Sequence, residues 1–156
     1  MSDVFLVMIE KGTVLLAEDD PDDVLLTQLA FEKACLVNPL QVVRDGEEAI
    51  TYLKGEGQYA DRQRFPLPIL LLLDLKMPKA TGFEVLEWLA TQSGLATLPV
   101  AIMTSSDHDP DAARAYELGA DSYLTKPPDP AALLALVQRL HAPWLILNQP
   151  FECHPA

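Results

Sequence analysis

Asp74 stands directly after the aliphatic run Ile69–Leu73. Burying an isolated charge is costly, so a carboxylate in that setting calls for a compensating cation or for hydrogen bonds. Three other places in the chain offer it partners. Glu18 and Asp19 follow the apolar stretch Thr13–Ala17, Thr104 and Ser105 follow Val100–Met103, and Lys126 follows Ser122–Thr125. Three carboxylates, a hydroxyl and a lysine make one coherent chemistry once they are gathered. Close carboxylates repel unless a cation binds, and an all-oxygen site of this charge favours Mg²⁺. Such a metal can neutralise charge during in-line phosphoryl transfer. A lysine balances further charge, and a hydroxyl can donate to a phosphoryl oxygen.

The elements that must gather these residues can be read from the hydrophobic pattern. Apolar runs of strand length alternate with helix-period stretches, which is the pattern of a parallel α/β sheet. Strands are expected at Thr13–Ala17, Leu40–Val43, Ile69–Leu73, Val100–Met103 and Ser122–Thr125. Helices are expected at Pro21–Cys35, Glu47–Lys54 and Gly82–Gln92, from Pro110 to a stop at Gly119, and from Pro130 onward. Asp20, Asp109 and Asp129 each precede a proline, the signature of an N-cap followed by the first helical position. The remaining acids of the Glu18–Asp23 cluster, Asp22 and Asp23, read as first-turn residues that meet the helix dipole. In the third helix, Phe83, Leu86 and Leu89 share a face; in the fifth, Leu133, Leu136, Val137 and Leu140 do.

Strands one, three and four are continuously apolar, so both of their faces should be covered. Strands two and five carry Gln41, Ser122 and Thr125, as edges often do. The expected fold is a flavodoxin-like, doubly wound (βα)5 parallel sheet, for which the order 2-1-3-4-5 is compatible with right-handed crossovers. The pattern does not exclude other orders. Ligands of such sheets bind outside the carboxyl ends of the strands. That rule puts Glu18, Asp19, Asp74, Thr104, Ser105 and Lys126 on one rim.

Four stretches, LLAEDDPDD, LLLLDLKMPKATGFEVL, AIMTSS and YLTKPP, resemble in order the signature regions of response-regulator receiver domains of two-component systems. The resemblance implies that Asp74 is the phosphoacceptor, with Thr104 and Lys126 contacting the phosphoryl group and Ser105 leaving room for it. It implies Mg²⁺ held by Asp19, Asp74 and the backbone carbonyl of Lys76, with Glu18 acting mostly through metal-bound water. Met77 and Pro78 would shape the loop after Asp74, Gly82 would permit the turn into the third helix, and the Lys126–Pro127 bond would be cis. Thr104 and Tyr123 would form the switch that couples the site to the face of helix four, strand five and helix five. The implied donor is a phosphohistidine of a sensor histidine kinase, or a small phosphodonor, and the implied role is signalling by self-modification, not enzymatic turnover. A phosphatase of the haloacid-dehalogenase type also uses an aspartyl nucleophile, but it wants a second Asp two residues on, where Lys76 stands.

Composition agrees with a single domain: 156 residues, 49% of them hydrophobic. A formal charge of −12 argues against DNA or an anionic membrane as partner. Two cysteines, Cys35 and Cys153, are too few for a disulfide framework and lack zinc spacing, and His108, His141 and His154 read as incidental. The apolar stretch Val4–Ile9 is short and has neither the flanks of a signal peptide nor the length of a membrane span, so the cytoplasm is the expected compartment. Residues 1–11 are then a short extension, 12–142 the receiver, and 143–156 a C-terminal arm.

Pro143 should end the last helix, and Trp144, Leu145, Ile146 and Leu147 follow it as an apolar run. Either the run folds back on its own domain or it buries itself on a second subunit, forming a homodimer. The loop before strand three and the Trp-Leu pair resemble single-domain regulators paired with bacterial phytochromes. A generic receiver serving another kinase, or a chemotaxis-type target, is the alternative.

Overall fold

A computed structural model describes residues 12–104 and 110–140. Five parallel strands, β1 (Val14–Ala17), β2 (Leu40–Val43), β3 (Leu70–Asp74), β4 (Val100–Thr104) and β5 (Ser122–Thr125), lie in the order β2-β1-β3-β4-β5. Helices α1 (Pro21–Lys33), α2 (Gly46–Lys54), α3 (Gly82–Ala90), α4 (Pro110–Glu117) and α5 (Pro130–Leu140) connect or follow them. The flavodoxin-like expectation holds, with the polar-bearing strands β2 and β5 at the edges.

Strand alternation divides the core between the two faces of the sheet. Val14, Leu16, Leu70, Leu72, Ala101 and Met103 pack with Val24, Ala30 and Phe31 of α1 and with Leu133, Leu136 and Val137 of α5. Leu15, Ala17, Leu71, Leu73, Val100 and Ile102 pack with Ala49, Tyr52 and Leu53 of α2, Val85, Leu86 and Leu89 of α3, and Ala115 of α4. Phe83, expected with the α3 core face, is only partly buried and packs against its edge; Val85 takes its place inside.

Boundaries shift for local reasons. Strands β3 and β4 run one residue further than expected, so Asp74 and Thr104 are strand residues in register with Met103 and Thr125. Helix α1 stops at Lys33, before the expected Cys35, because Cys35 adopts a left-handed conformation (φ 64°) and the Leu36 amide closes back on the Phe31 carbonyl at 2.9 Å. Helix α2 begins one residue early, at Gly46, with the Asp45 side chain accepting from the Glu48 amide at 2.7 Å. Asp20 caps α1 as expected, accepting from the Asp22 amide at 2.8 Å. Ser105, the cap position Asp109 and the arm residues Trp144, Leu145, Ile146 and Leu147 lie outside the described residues, as do residues 1–11.

Between α2 and β3 the chain makes a 3₁₀ turn at Gly57–Tyr59 that the sequence pattern did not suggest. Arg62 secures this connection. Its guanidinium donates to the carbonyls of Tyr52 and Leu53, both at 2.9 Å, and to that of Phe65 at 3.1 Å, satisfying the open C-terminal carbonyls of α2.

Candidate functional site

Parallel pairing carries the carboxyl ends of β1, β3, β4 and β5 to one edge of the sheet. There an open pocket of about 200 Å³ is lined by Glu18, Asp19, Asp20, Asp23, Asp74, Lys76, Thr104, Asp111 and Lys126, among others. The four expected strand ends therefore meet. Glu18 is fully buried, Asp74 and Thr104 nearly so, and Asp19 is exposed. Carboxylate oxygens of Glu18, Asp19 and Asp74 all lie within 4.8 Å of one another.

Lys126 reaches into this group from the end of β5. Its Nζ lies 2.7 Å from Glu18 Oε1, 3.0 Å from Asp74 Oδ2 and 3.3 Å from Asp23 Oδ2. Burial disfavours the ammonium charge, but the close carboxylates of Glu18 and Asp74 outweigh it and hold the lysine's pKa above its usual value. Glu18 is pushed up to about 7, chiefly by burial and further by the Asp74 charge; the Lys126 ammonium and the Asp20 amide oppose the shift. Asp74 Oδ1 accepts from the Lys76 amide at 3.1 Å, which orients the carboxylate toward the pocket.

The residues fit a divalent cation of the hard, oxygen-binding kind. Glu18 Oε1 is buried and, although the ammonium of Lys126 is close, no donor is aligned for a hydrogen bond to it. With two neighbouring carboxylates this leaves more negative charge than one lysine meets. Glu18, Asp19 and Asp74 would hold Mg²⁺, which would supply charge neutralisation.

Two neighbours of the site differ from expectation. Gly82 is needed because a Cβ there would sit 2.6 Å from the Asp74 carbonyl oxygen and 2.8 Å from Leu75 Cα, a matter of close approach. Asp23, expected only to meet the helix dipole, is turned into the pocket and bonded to Lys126. Nothing in their spacing, 103 residues, could have announced that pair. The Lys126–Pro127 bond is cis, as expected, and Met77, in the loop after β3, is buried. Tyr123, on the outer edge of β5, is 40% exposed and meets Tyr116 of α4 edge-to-face, centroids 6.2 Å apart.

The response regulator receiver domain family matches residues 14–138. This chain belongs to that family. It is 35% identical over 132 residues to the response regulator Rcp1 of Synechocystis sp., covering 85% of this chain and 88% of Rcp1. The structure of the bacteriophytochrome response regulator RtBRR aligns with a TM-score of 0.77 at 39% identity, over 90% of this chain and 84% of that one. The Mn²⁺-bound form of Rcp1 aligns with a TM-score of 0.66 at 34% identity, over 83% and 91%. Receivers are Mg²⁺-binding signalling domains phosphorylated on aspartate, with a sensor histidine kinase as partner. Among the described residues no helix is long and apolar enough to cross a membrane.

Proposed function

We propose that Asp74 is the phosphoacceptor of this receiver and that Lys126 and Thr104 stabilise the group transferred to it. The observation that carries this reading is the position of Lys126 Nζ, 3.0 Å from Asp74 Oδ2 and 2.7 Å from Glu18 Oε1 at the open rim of the sheet. In the reaction, an Asp74 carboxylate oxygen forms a bond to phosphorus as the phosphorus–nitrogen bond of the kinase phosphohistidine breaks. The imidazole nitrogen keeps the electron pair and takes up a proton. Lys126 meets charge on the transferring oxygens, and the Thr104 hydroxyl donates to one of them. On this reading Asp19, Asp74 and the Lys76 carbonyl would hold the metal, with Glu18 acting on it mostly through water. The chain thus signals by its own modification.

Phosphorylation takes the Asp74 group from charge −1 toward −2 and adds strong acceptors. Thr104 then moves toward the phosphoryl group, and Tyr123 turns inward from its exposed position beside Tyr116. The result is a population shift at the face of α4, β5 and α5. The cognate kinase is, on this reading, a phytochrome in the cytoplasm, a link supported by similarity to Rcp1 and RtBRR. Helix α1, which starts at the pocket, presents exposed Leu25, Leu26 and Leu29 as a stripe on which a helical kinase segment can dock. Residues 12–142 act as the receiver. The arm 143–156 buries Trp144, Leu145, Ile146 and Leu147 on a second copy, giving a homodimer that phosphorylation tightens; truncation after Ala142 then yields a folded monomer by light scattering.

Incubation with Mg²⁺ and acetyl phosphate, read by intact mass, tests the central claim. One acid-labile phosphoryl group is expected in the parent protein and none in Asp74→Asn. Equal incorporation in both would overturn the assignment.

A further inference from the structure

We propose that Asp23 is a positioning residue for Lys126, a carboxylate on helix α1 that shares the ammonium with the phosphoacceptor and must release it when the phosphoryl group arrives. This rests on the reading of Asp74 and Lys126 just given. An ammonium has three N–H donors, and among the described residues Lys126 Nζ has three carboxylate neighbours, Glu18, Asp74 and Asp23, at 2.7, 3.0 and 3.3 Å. Glu18 and Asp74 belong to the cluster that fits a cation, and Asp23 does not. Nor does Asp23 cap α1, because Asp20 does.

The turn that carries Asp23 is fixed. The hydroxyl of Thr27, itself fully buried, donates to the Asp23 carbonyl at 2.8 Å, and the next residue, Val24, is buried against the sheet. Asp22, the other first-turn acid, is exposed and does not line the pocket. Of these two acids Asp23 is therefore the one aimed at Lys126, on a helix that cannot easily shift it. With a cation bound, Glu18 and Asp19 would be engaged by it, and Asp23 would compete with the phosphoryl oxygens for the same ammonium.

Competition has a definite sign. Without the Asp23 charge, Lys126 is freer to close on the transferring group, so Asp23→Asn raises the rate constant for phosphorylation by acetyl phosphate. For charges this close in a partly exposed pocket, the expected gain is on the order of three- to tenfold. Asp23→Glu keeps the charge and stays near the parent rate. In a Lys126→Ala background, where phosphorylation is slow, Asp23→Asn has less than about a twofold effect.

A second measurement does not depend on phosphorylation. In the metal-free, unmodified protein, the ¹⁵N-detected ammonium of Lys126 exchanges its protons faster in Asp23→Asn than in the parent. An unchanged or lowered phosphorylation rate in Asp23→Asn would overturn the proposal. So would a gain that persists without Lys126, or an ammonium exchange rate that does not move. If the parent protein takes no phosphoryl group at all, the reading of Asp74 fails, and the exchange measurement still decides whether Asp23 holds Lys126.

Discussion

Helices α1 and α4 both begin beside the pocket, each contributing an acid to its lining, yet they are held by different means. Helix α1 buries Val24, Thr27, Ala30 and Phe31 against the sheet. Helix α4 buries Ala115 alone and is otherwise tied down from outside. Arg114 lies over the Phe83 ring, 4.3 Å from its centroid, and pairs at 3.8 Å with Glu87 through side chains more than half exposed. Tyr116 meets Tyr123 at the surface. Exposed ion pairs are worth roughly 0–1 kcal/mol and an aromatic pair about 0.5–1.5 kcal/mol, whereas a buried aromatic side chain is worth several. The deeply packed flank thus suits chemistry that needs fixed geometry, and the flank proposed to change shape on phosphorylation is held by contacts cheap to exchange.

The sharpest way to break this comparison is to truncate one anchor on each side. Phe31→Ala should cost about 3–5 kcal/mol of stability, because it leaves a cavity between α1 and the sheet. Tyr116→Ala should cost about 1 kcal/mol or less. Chemical denaturation measures both, and equal losses would erase the distinction. Amide hydrogen exchange sharpens it: α4 amides should exchange through local opening, while those of α1 wait for global unfolding.

A smaller effect separates two neighbours on the loop after β1. Asp19 contributes an oxygen to the carboxylate cluster, and Asp20 has committed its Oδ1 to the Asp22 amide at 2.8 Å. Asp19→Ala should weaken Mg²⁺ binding by about tenfold or more, since it deletes a ligand and a charge together. Asp20→Ala should change Mg²⁺ affinity by roughly threefold at most and cost about 1 kcal/mol of stability through the lost cap. Metal titration giving the reverse order would mean that the acidic pair is misassigned.

Much of this architecture is written locally in the chain, and the exceptions share one cause. Each strand is an apolar run, and Asp20-Pro21 marks the start of α1 by chemistry confined to a few residues. The strand ends that converge on the pocket follow from the parallel topology, so Glu18, Asp19, Asp74, Thr104 and Lys126 could be placed together in advance. The Asp23–Lys126 bond, the reach of Arg62 back to α2, and the closeness of Gly82 to the Asp74 carbonyl could not. Each depends on a side-chain direction or a separation settled only when distant elements pack. The early end of α1 turns on the left-handed backbone of Cys35, a conformation that few residue types other than glycine and asparagine advertise.

The connection from α2 to β3 tests whether depth of packing, and not regular structure, decides which regions hold firm. It has little secondary structure, yet its Tyr59 is almost fully buried and lies 4.8 Å, ring to ring, from the fully buried Tyr52 of α2, with Phe65 edge-on to both. The Tyr52 hydroxyl donates to the Pro66 carbonyl at 2.9 Å. Burial pushes the Tyr52 phenol up to about 12, against the opposing charge of Arg62, and pushes Tyr59 to about 12 with help from Glu48. A phenol whose pKa is higher in the fold than in the open chain, about 10, binds its proton more tightly when folded. Its stabilising contribution is therefore complete below pH 10 and is lost as pH rises through about 12. Tyr52→Phe should cost about 1 kcal/mol at neutral pH, the worth of the lost hydrogen bond. Its stability should then fall less steeply than the parent's in that alkaline window, and the double substitution Tyr52→Phe, Tyr59→Phe should flatten the curve further. Denaturation midpoints measured across the window, beside an ultraviolet phenolate titration, read both effects. Parallel curves for parent and variants would show that the two phenols ionise as freely in the fold as outside it, and the connection would then belong with α4 among the loosely held parts.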